Sequence, residues 1–340
     1  MFQEILGRVS GGVDLSTAEM VSAMDQIMQG KCTDEQIGLF LTALHTKGET
    51  FEEIAGAARA MRKHMTKLQT RHEIFIDTCG TGGDGSGTFN ISTAAALVTA
   101  AAGIPVAKHG NRAITSRSGS ADVLAELGVN VEASVPQVEA CLDELGIGFC
   151  FAPLWHQSMR HVAAVRRQLG MPTIFNMLGP LCNPAEAPFQ LVGVAKPHMR
   201  PLLARALPLL GIRRAFVVNG DDGLDEVTLT GTTHVTEAYG IKVRDLAWTP
   251  GIFGLQTDSL ESLKVLGPNE SAAMIRGILA GEKGPARDIV VLNAAAAIYT
   301  VVQFSNSNVT ELSCAERAAD AIDSGAASQL LADLGRISRR

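Results

Sequence analysis

The first seventy residues place apolar side chains at helical spacing and contain three helix-start signals. In each signal a Ser or Thr precedes a Glu or Gln by three residues, so the two side chains can bond the free backbone amides of a helix N-terminus reciprocally. The pairs are Ser16 with Glu19, Thr33 with Gln36, and Thr50 with Glu53. Gly30 and Gly48 lie where the first two of these helices should end. The pattern predicts a small helical domain over residues 1–70.

From residue 73 onward, short β-branched or apolar runs alternate with helical stretches. This alternation predicts a larger α/β domain over residues 71–340, with a mostly parallel central sheet covered by helices. We expect strands at EIFIDT (73–78), GIPVAK (103–108), GVNVEA (128–133), IGFCFA (147–152), RAFVVNG (214–220) and RDIVVLN (287–293). A Pro- and Gly-rich tract within 171–200 interrupts the alternation. It is interpreted as a hinge, or as a return of the chain to the helical domain.

Composition narrows the class of protein. The chain has 340 residues, of which 46% are hydrophobic, and a formal net charge of −6 without a basic run, so its bulk charge does not attract nucleic acid. Its six cysteines form no C-x-x-C pair, which favours reduced, buried thiols over disulfides or a zinc site. The N-terminus lacks the pattern of an export signal, and no window reaches about 18 uninterrupted apolar residues. We therefore expect a cytoplasmic protein that binds neither nucleic acid nor membrane.

A glycine-rich loop, TCGTGGDGSGTFNIST (78–93), follows the first predicted strand of the sheet. Five of the eight residues from Gly80 to Gly87 are glycine, whereas a turn without a ligand needs one or two. Such a loop lets backbone amides approach a phosphate closely. The loop is therefore predicted to bind a phosphate-containing ligand.

The loop also fits a nicotinamide-binding motif, because Gly80, Gly82 and Gly85 have G-x-G-x-x-G spacing. Two features oppose this interpretation. Residues 88–90 intervene before the predicted helix over 91–102, and the second strand ends in Lys108-His109 instead of the acidic residue that would bond a ribose. A lysine beside amides and hydroxyls suits a phosphate or pyrophosphate.

An arginine is expected on the apolar face of a predicted helix over 155–169. Arg166 lies in the middle of that face and Arg167 points away from it. The apolar residues of the face are Trp155, Met159, Val162 and Leu169. Because unpaired burial of a guanidinium is costly, Arg166 needs an anionic partner, either a structural Asp or Glu or the carboxylate of a ligand.

Two adjacent carboxylates follow the strand RAFVVNG. Asp225 and Glu226 occur in GDDGLDEVT, after the carboxyl end of that strand, where α/β folds bind ligands. Carboxylate pairs suit a hard cation such as magnesium, although an acidic turn is common and is weak evidence alone.

Taken together, these motifs resemble the anthranilate phosphoribosyltransferase family of tryptophan biosynthesis, in the same order and at the same spacing over nearly the whole chain. The matching segments are DTCGTGGDGSGTFNIST (77–93), KHGNRAITSRSGSADVLAELG (108–128), FAPLWHQSMRHVAAVRRQLG (151–170), TIFNMLGPLCNPA (173–185) and GLDEVT (223–228). The resemblance implies a helical domain hinged to an α/β domain of the nucleoside phosphorylase/phosphoribosyltransferase type. It also implies two Mg²⁺ ions and a homodimer formed through the helical domain.

The implied reaction moves the 5-phosphoribosyl group of phosphoribosyl pyrophosphate (PRPP) onto the amine of anthranilate. The residues that the resemblance assigns to PRPP are Gly80, Gly83, Asp84, Thr88, Asn90, Ile91, Ser92, Thr93, Lys108, His109, Gly110, Asn111, Arg112, Ala113, Ile114, Thr115, Ser116 and Ser120. Those assigned to anthranilate are Gly80, Asn111 and Arg166, and those assigned to metal are Ser92, Asp225 and Glu226. His109 is a candidate for removing the amine proton. An arylamine can lose that proton late, so no essential general base is predicted.

Two alternatives share the implied fold. Pyrimidine nucleoside phosphorylases also bind sugar phosphates, but the chain lacks their Lys-Met-Ser-type signature. An inactive relative that binds another ligand, such as nucleic acid, should lose the acceptor residues and gain surface basicity. This chain keeps Asn111 and Arg166 and is acidic overall.

Overall fold

Four helices form the N-terminal unit of the computed structural model, which describes residues 2–113 and 117–340. They are α1 (Phe2–Ser10), α2 (Thr17–Met28), α3 (Asp34–Lys47) and α4 (Phe51–Lys63). All three predicted capping boxes are formed, at the starts of α2, α3 and α4. Gly30 and Gly48 follow the ends of α2 and α3 with φ of 69° and 86°, a backbone conformation that favours glycine. These local predictions are confirmed.

The core of the helical unit includes residues from far along the chain. Ile27 and Leu41 belong to the same buried apolar cluster as Ile174, Phe175 and Leu181. Part of the Pro- and Gly-rich tract thus packs with the helical unit, through α10 (Phe175–Leu178) and a short 3-10 helix at Gly179–Leu181. The domain boundaries themselves stay a prediction.

A seven-stranded sheet forms the centre of the second unit, with strand order β3-β2-β1-β4-β5-β6-β7. The strands are β1 (Ile76–Gly80), β2 (Val106–Gly110), β3 (Ile147–Phe151), β4 (Phe189–Gly193), β5 (Arg214–Gly220), β6 (Thr233–Tyr239) and β7 (Lys242–Trp248). The first five pair in parallel, and β6 and β7 add an antiparallel hairpin at one edge. The predicted fold class, a helical domain beside an α/β domain with a mostly parallel sheet, is confirmed.

The remaining helices pack around the sheet or against the helical unit. They are α5 (Ile91–Ala101), α6 (Ser120–Glu126), α7 (Val135–Leu145), α8 (Ala152–Trp155), α9 (Arg160–Leu169), α11 (Met199–Leu209), α12 (Pro268–Leu279), α13 (Pro285–Ser305), α14 (Glu311–Asp323) and α15 (Ala326–Ile337). By length and apolar composition α13 passes the test for a membrane span, but 67% of its most apolar window is buried inside the protein. All six cysteines lie in the described part of the chain and are unpaired.

Two of the six predicted strands are wrong. Residues 287–293 lie inside α13, because an apolar run followed by Ala294–Ala297 suits a buried helix as well as a strand. Residues 128–133 form turns after α6, beginning at Gly128 with φ of 92°. Strand β4, which lies within the Pro-rich tract, was not predicted from the sequence, and neither was the β6–β7 hairpin, whose outer strand is mostly exposed.

The prediction of one continuous helix over 155–169 is also wrong, because the helix is interrupted at His156. Here α8 ends at Trp155, and His156 adopts φ −114° and ψ 58°, which is not helical. A 3-10 turn and then α9 follow. As a result Trp155 packs in a different apolar cluster from Val162.

Glycines end four of the parallel strands, at Gly80, Gly110, Gly193 and Gly220. A Cβ added at Gly193 would lie 1.6 Å from the Asp225 carbonyl oxygen, and one at Gly80 would lie 2.9 Å from Asp225 Oδ2. The loop after β5 therefore crosses directly over the ends of β1 and β4.

We expect Gly193→Ala to lower the free energy of unfolding by about 1–3 kcal/mol or more, because the new methyl group meets backbone that must move. Urea denaturation measures the change. The matched control is Gly231→Ala, since a Cβ there has no atom within 4 Å. Equal stability of the two variants would contradict the proposed crowding.

Candidate functional site

A cavity of about 650 Å³ opens where β1 and β2 end, beside the loop after β5. It is lined by Cys79, Gly80, Thr81, Gly82, Gly83, Asp84, Gly85, Ser86, Gly87, Thr88, Phe89, Asn90, Ile91, Ser92, Thr93, Lys108, His109, Gly110, Asn111, Arg112, Arg117, Ser118, Gly119, Ser120, Asp225, Glu226 and Lys264. Most of the residues assigned to PRPP and metal by resemblance thus lie around one cavity. Ala113 and Arg166 do not line it, and Ile114, Thr115 and Ser116 lie outside the described residues.

The glycine-rich loop forms one wall of the cavity. Gly82, Gly83, Gly85 and Gly87 all have positive φ, which explains why the loop needs so many glycines. Beyond them the loop pairs with residues 263–265: Phe89 N donates to the Leu263 carbonyl at 2.9 Å, and Val265 N donates to the Gly87 carbonyl at 2.9 Å. The loop is therefore held on both sides, by β1 and by this short antiparallel contact.

The helix after the loop begins at Ile91, as predicted from the sequence. Asn90 is its N-cap residue, but the Asn90 side chain makes no capping hydrogen bond. Instead its Nδ2 donates to the Ser118 carbonyl at 3.1 Å. The positive end of the α5 dipole faces the cavity, which favours an anion there.

Lys108 is a buried cation on β2, with 3% of its surface exposed. Its Nζ donates to the Thr78 carbonyl at 2.5 Å and lies 3.5 Å from Ser92 Oγ. Among the described residues, no carboxylate oxygen lies within 4 Å of this nitrogen. A buried ammonium group without an ion-pair partner suits an anionic ligand.

The acidic pair, Asp225 and Glu226, also lines the cavity, and Glu226 and Lys108 both approach Ser92. Asp225 Oδ2 accepts from Gly82 N at 2.9 Å, and Glu226 Oε1 accepts from Ser92 N at 3.0 Å. Burial raises the pKa of both carboxyls; the charge of Asp84 raises that of Asp225 further, and the charge of Asp225 raises that of Glu226.

A divalent cation would relieve this repulsion, and carboxylates are hard donors that suit Mg²⁺. In the part of the chain that is described, no three His, Cys, Asp or Glu side chains converge to enclose a metal. Mg²⁺ usually binds through one or two carboxylates together with substrate phosphates and water. The residues present therefore fit magnesium bound jointly with a phosphate ligand.

His109 is engaged on both ring nitrogens. Nδ1 lies 3.2 Å from the Gly179 carbonyl, and Nε2 lies 3.2 Å from Nε2 of His156, which is also buried. Burial, with His156 as a further cause, lowers the pKa of His109 to about 3, and burial lowers that of His156 to about 4. Both rings are neutral near pH 7. The lone pair of His109 is not available to a substrate while this contact exists, which argues against His109 as a general base.

Asn111 and Arg112, the first residues after β2, are engaged in contacts within the protein. Arg112 pairs with Asp122 at 3.1 Å and with Glu132 at 3.3 Å, and its guanidinium lies over the ring of Phe151. Asn111 Oδ1 accepts from Arg112 N at 2.8 Å, so part of the Asn111 amide is already used.

Arg166 lies outside the cavity, on α9, and is half-buried. Its guanidinium lies 5.2 Å from the ring centroid of Phe175, and desolvation lowers its pKa. No carboxylate of the described residues lies within 4 Å of it, so a structural Asp or Glu partner is not observed. Arg167 is exposed, as predicted.

Sequence reasoning missed two cationic residues of the cavity wall, Arg117 and Lys264. Arg117 Nη1 donates to the Val265 carbonyl at 3.1 Å, and Lys264 pairs with Glu261 at 2.6 Å. Arg117 belongs to the segment 108–128 that carries the family resemblance. Lys264 follows no motif, and only the pairing of its backbone with Thr88 brings it to the site.

Two family models match the chain. "Glycosyl transferase family, helical bundle domain" matches residues 3–65, and "Glycosyl transferase family, a/b domain" matches residues 72–328. The chain is 49% identical to an anthranilate phosphoribosyltransferase of Acetivibrio thermocellus, over 97% of this chain and 95% of the relative. It is 52% identical to one of Rhodospirillum rubrum, over 96% and 93%.

Solved structures agree with these relatives. The crystal structure of the anthranilate phosphoribosyltransferase of Thermus thermophilus matches with a TM-score of 0.92 and 42% identity, covering 99% of each chain. That of Saccharomyces cerevisiae in complex with PRPP and Mg matches with a TM-score of 0.89 and 29% identity, covering 99% of this chain and 98% of that one. The chain therefore belongs to the anthranilate phosphoribosyltransferase family.

Proposed function

We propose that this chain transfers the 5-phosphoribosyl group from PRPP to the amine of anthranilate, giving N-(5-phosphoribosyl)anthranilate and pyrophosphate in tryptophan biosynthesis. The observation that carries the proposal is the charge arrangement of the cavity. A buried lysine without an ion-pair partner among the described residues and two carboxylates with raised pKa line the same cavity, where Lys108 and Glu226 both approach Ser92. This arrangement suits a polyanion bound together with a divalent cation.

The reaction breaks the bond between ribose C1 and the pyrophosphate oxygen and forms a bond from C1 to the amine nitrogen. Positive charge develops on the sugar and negative charge on the leaving group, so catalysis depends mainly on position and electrostatics. Lys108 and the amides of the glycine-rich loop are proposed to bind the pyrophosphate, with Asn90 to Thr93 at the positive end of α5. Arg112, Ser120 and the segment between them complete the proposed PRPP site.

Ser92, Asp225 and Glu226 are proposed to hold two Mg²⁺ ions. Bound there, the metal would supply positive charge beside the departing pyrophosphate, where negative charge develops. The hydrogen bonds from Gly82 N and Ser92 N orient the two carboxylates toward the cavity. The backbone thereby fixes the acidic pair before any ligand binds.

Anthranilate is proposed to bind near Gly80 and Asn111, with its carboxylate bound by Arg166. The support for Arg166 is its half-buried guanidinium, which lacks a described acidic partner. Because Arg166 does not line the cavity, the proposal requires α9 to approach the PRPP site when substrates bind. A hinge between the two units would allow this.

The oligomeric state and location are also proposals. We infer a cytoplasmic homodimer formed through the helical unit, without a nucleic acid partner. The support for the dimer is the exposed apolar surface of that unit, where Leu39 is 54% exposed and Val13 is 44% exposed.

One assay tests the central proposal. Anthranilate fluorescence should fall when the protein is mixed with PRPP and Mg²⁺, because its amine becomes substituted. Omission of PRPP or Mg²⁺ is the control. Unchanged fluorescence in the complete mixture would contradict the proposed reaction.

Arg166→Ala should lower kcat/KM for anthranilate by an amount equivalent to about 2–4 kcal/mol of transition-state stabilisation, because a desolvated guanidinium–carboxylate pair is lost. PRPP binding should change little. Arg166→Lys should restore only part of the activity, because lysine keeps the charge without the planar fork. The matched control is Arg167→Ala, at the exposed neighbouring position. If Arg166→Ala unfolds the protein and leaves the kinetics of the folded fraction normal, the arginine is structural.

Replacing Asp225 with Asn and Glu226 with Gln should sharply reduce turnover and raise the Mg²⁺ concentration needed for half-maximal rate. The double variant keeps size and hydrogen-bonding capacity but removes two negative charges. Rate measured against Mg²⁺ concentration tests this, with Asp221→Asn as a control, because Asp221 pairs with His234 outside the cavity. A curve that overlays that of the unmodified protein would contradict the metal assignment, and the pair would then be part of an ordinary acidic loop.

The buried histidine pair should make the protein less stable in mild acid. The pKa values of about 3 for His109 and about 4 for His156 lie below the value of 6.5 expected after unfolding. The unfolded chain therefore binds more protons below pH 6.5, and stability falls as pH decreases toward 4.

Each histidine contributes a slope of up to about 1.4 kcal/mol per pH unit in this range. Urea denaturation at pH 7 and pH 5 should show that His156→Asn loses less stability over this interval than the unmodified protein. Equal losses would contradict the assignment of neutral rings.

A further inference from the structure

Ser271 is a fully buried serine on α12 that contacts the cavity wall from behind. It does not line the cavity. Its hydroxyl accepts from Asn90 N at 3.0 Å and donates to Asn90 Oδ1 at 2.8 Å. A hydroxyl has one hydrogen to donate and lone pairs to accept, so both bonds form at once. Ser271 thus contacts the backbone and the side chain of the same asparagine.

The side-chain amide of Asn90 also forms two hydrogen bonds to Ser118. Oδ1 also accepts from Ser118 Oγ at 2.7 Å, and Nδ2 donates to the Ser118 carbonyl at 3.1 Å. Both lone pairs of Oδ1 are then occupied, which leaves one Nδ2 hydrogen for a ligand. The plane of the Asn90 amide is therefore fixed by two serines from different parts of the chain.

These contacts join three segments that are distant in sequence. Asn90 begins α5 after the glycine-rich loop, Ser118 precedes α6, and Ser271 lies in the first turns of α12. Helix α12 also packs against α6. The Asn90 amide thus joins the two cavity-lining segments, at Asn90 and Ser118, and Ser271 holds that amide from a helix that stays outside the cavity.

We propose that Ser271 is a positioning residue for the PRPP half of the site, acting through Asn90. It holds the start of α5 through the Asn90 backbone, and it holds the Asn90 amide in the orientation that bonds Ser118, before substrate binds. The inference rests on the proposed function, because it assigns the sugar-phosphate ligand to this wall. It concerns a residue that no sequence motif indicated.

Removing the hydroxyl leaves the Asn90 backbone N–H without its acceptor and frees the Asn90 amide to rotate. PRPP binding must then order this wall, so its affinity should fall by roughly two- to tenfold, the range expected for one hydrogen bond. Gly80, Asn111 and Arg166, which are proposed to bind anthranilate, are not among the hydrogen-bond partners of Ser271 or the Asn90 side chain described above, so anthranilate binding should change little. A general loss of packing would instead affect both substrates and the melting temperature together.

The test compares Ser271→Ala with Ser338→Ala in the full-length protein. Ser338 is a matched control, because it is also buried, its Oγ accepts from the backbone N of Asn130 at 3.0 Å, and it lies outside the cavity. Calorimetry with PRPP and Mg²⁺ gives Kd, kinetics give separate KM values for the two substrates, and thermal denaturation gives Tm. We expect a raised Kd and KM for PRPP only in Ser271→Ala, with similar Tm in both variants.

A double-mutant cycle tests the route through the Asn90 side chain, because Asn90→Ala keeps the backbone N–H that bonds Ser271. In the Asn90→Ala background, Ser271→Ala should weaken PRPP binding by less than it does in the unmodified protein. Additive effects, equal PRPP affinity in Ser271→Ala and Ser338→Ala, or parallel changes in both KM values would each overturn the positioning role. If the unmodified protein itself fails to bind PRPP, the proposed function falls and this inference falls with it.

Discussion

The functional site depends on the close approach between the loop after β5 and the carboxyl ends of β1 and β4. The loop after β5 passes so close to β1 and β4 that Gly80 and Gly193 leave no room for a Cβ. This approach brings Asp225 within hydrogen-bonding distance of the glycine-rich loop at Gly82. The glycines at the strand ends and those in the loop therefore have different functions: the first admit a crossing chain, and the second turn backbone amides inward.

The same crowding sets the electrostatics of the cavity. Asp225 and Glu226 are brought next to Asp84 in a partly dehydrated place, which raises the pKa of both. Lys108 approaches from β2 and its charge lowers the pKa of Glu226, but it forms no ion pair with a carboxylate of the described residues. A neutralised salt bridge at this point would have little affinity for a polyanion. Without that ion pair both charges stay available, one for phosphate oxygens and the other for a cation.

Elements with local sequence signals were predicted correctly. Predictions failed where tertiary contacts determine the secondary structure or bring a residue to the site. Capping boxes located α2, α3 and α4, and the delayed start of α5 followed from the residues after the last glycine of the loop. The run at 287–293 was mistaken for a strand, because a fully buried helix has no periodicity to read. At the site, motif residues were found, whereas Lys264 and Ser271 reach it only through long-range pairing that no local pattern encodes.

The antiparallel hairpin at the sheet edge has a consequence for behaviour in solution. Strand β7 ends the sheet, and most of its side chains are exposed, including Lys242 and Arg244. Cations on an outer strand discourage pairing with the edge of another molecule, which is how natural sheets avoid aggregation. Ile241 in the adjoining turn is an apolar residue that is 97% exposed, so it lacks this protection against intermolecular contact. Apolar residues in place of the two cations would turn the edge into a template for fibrils.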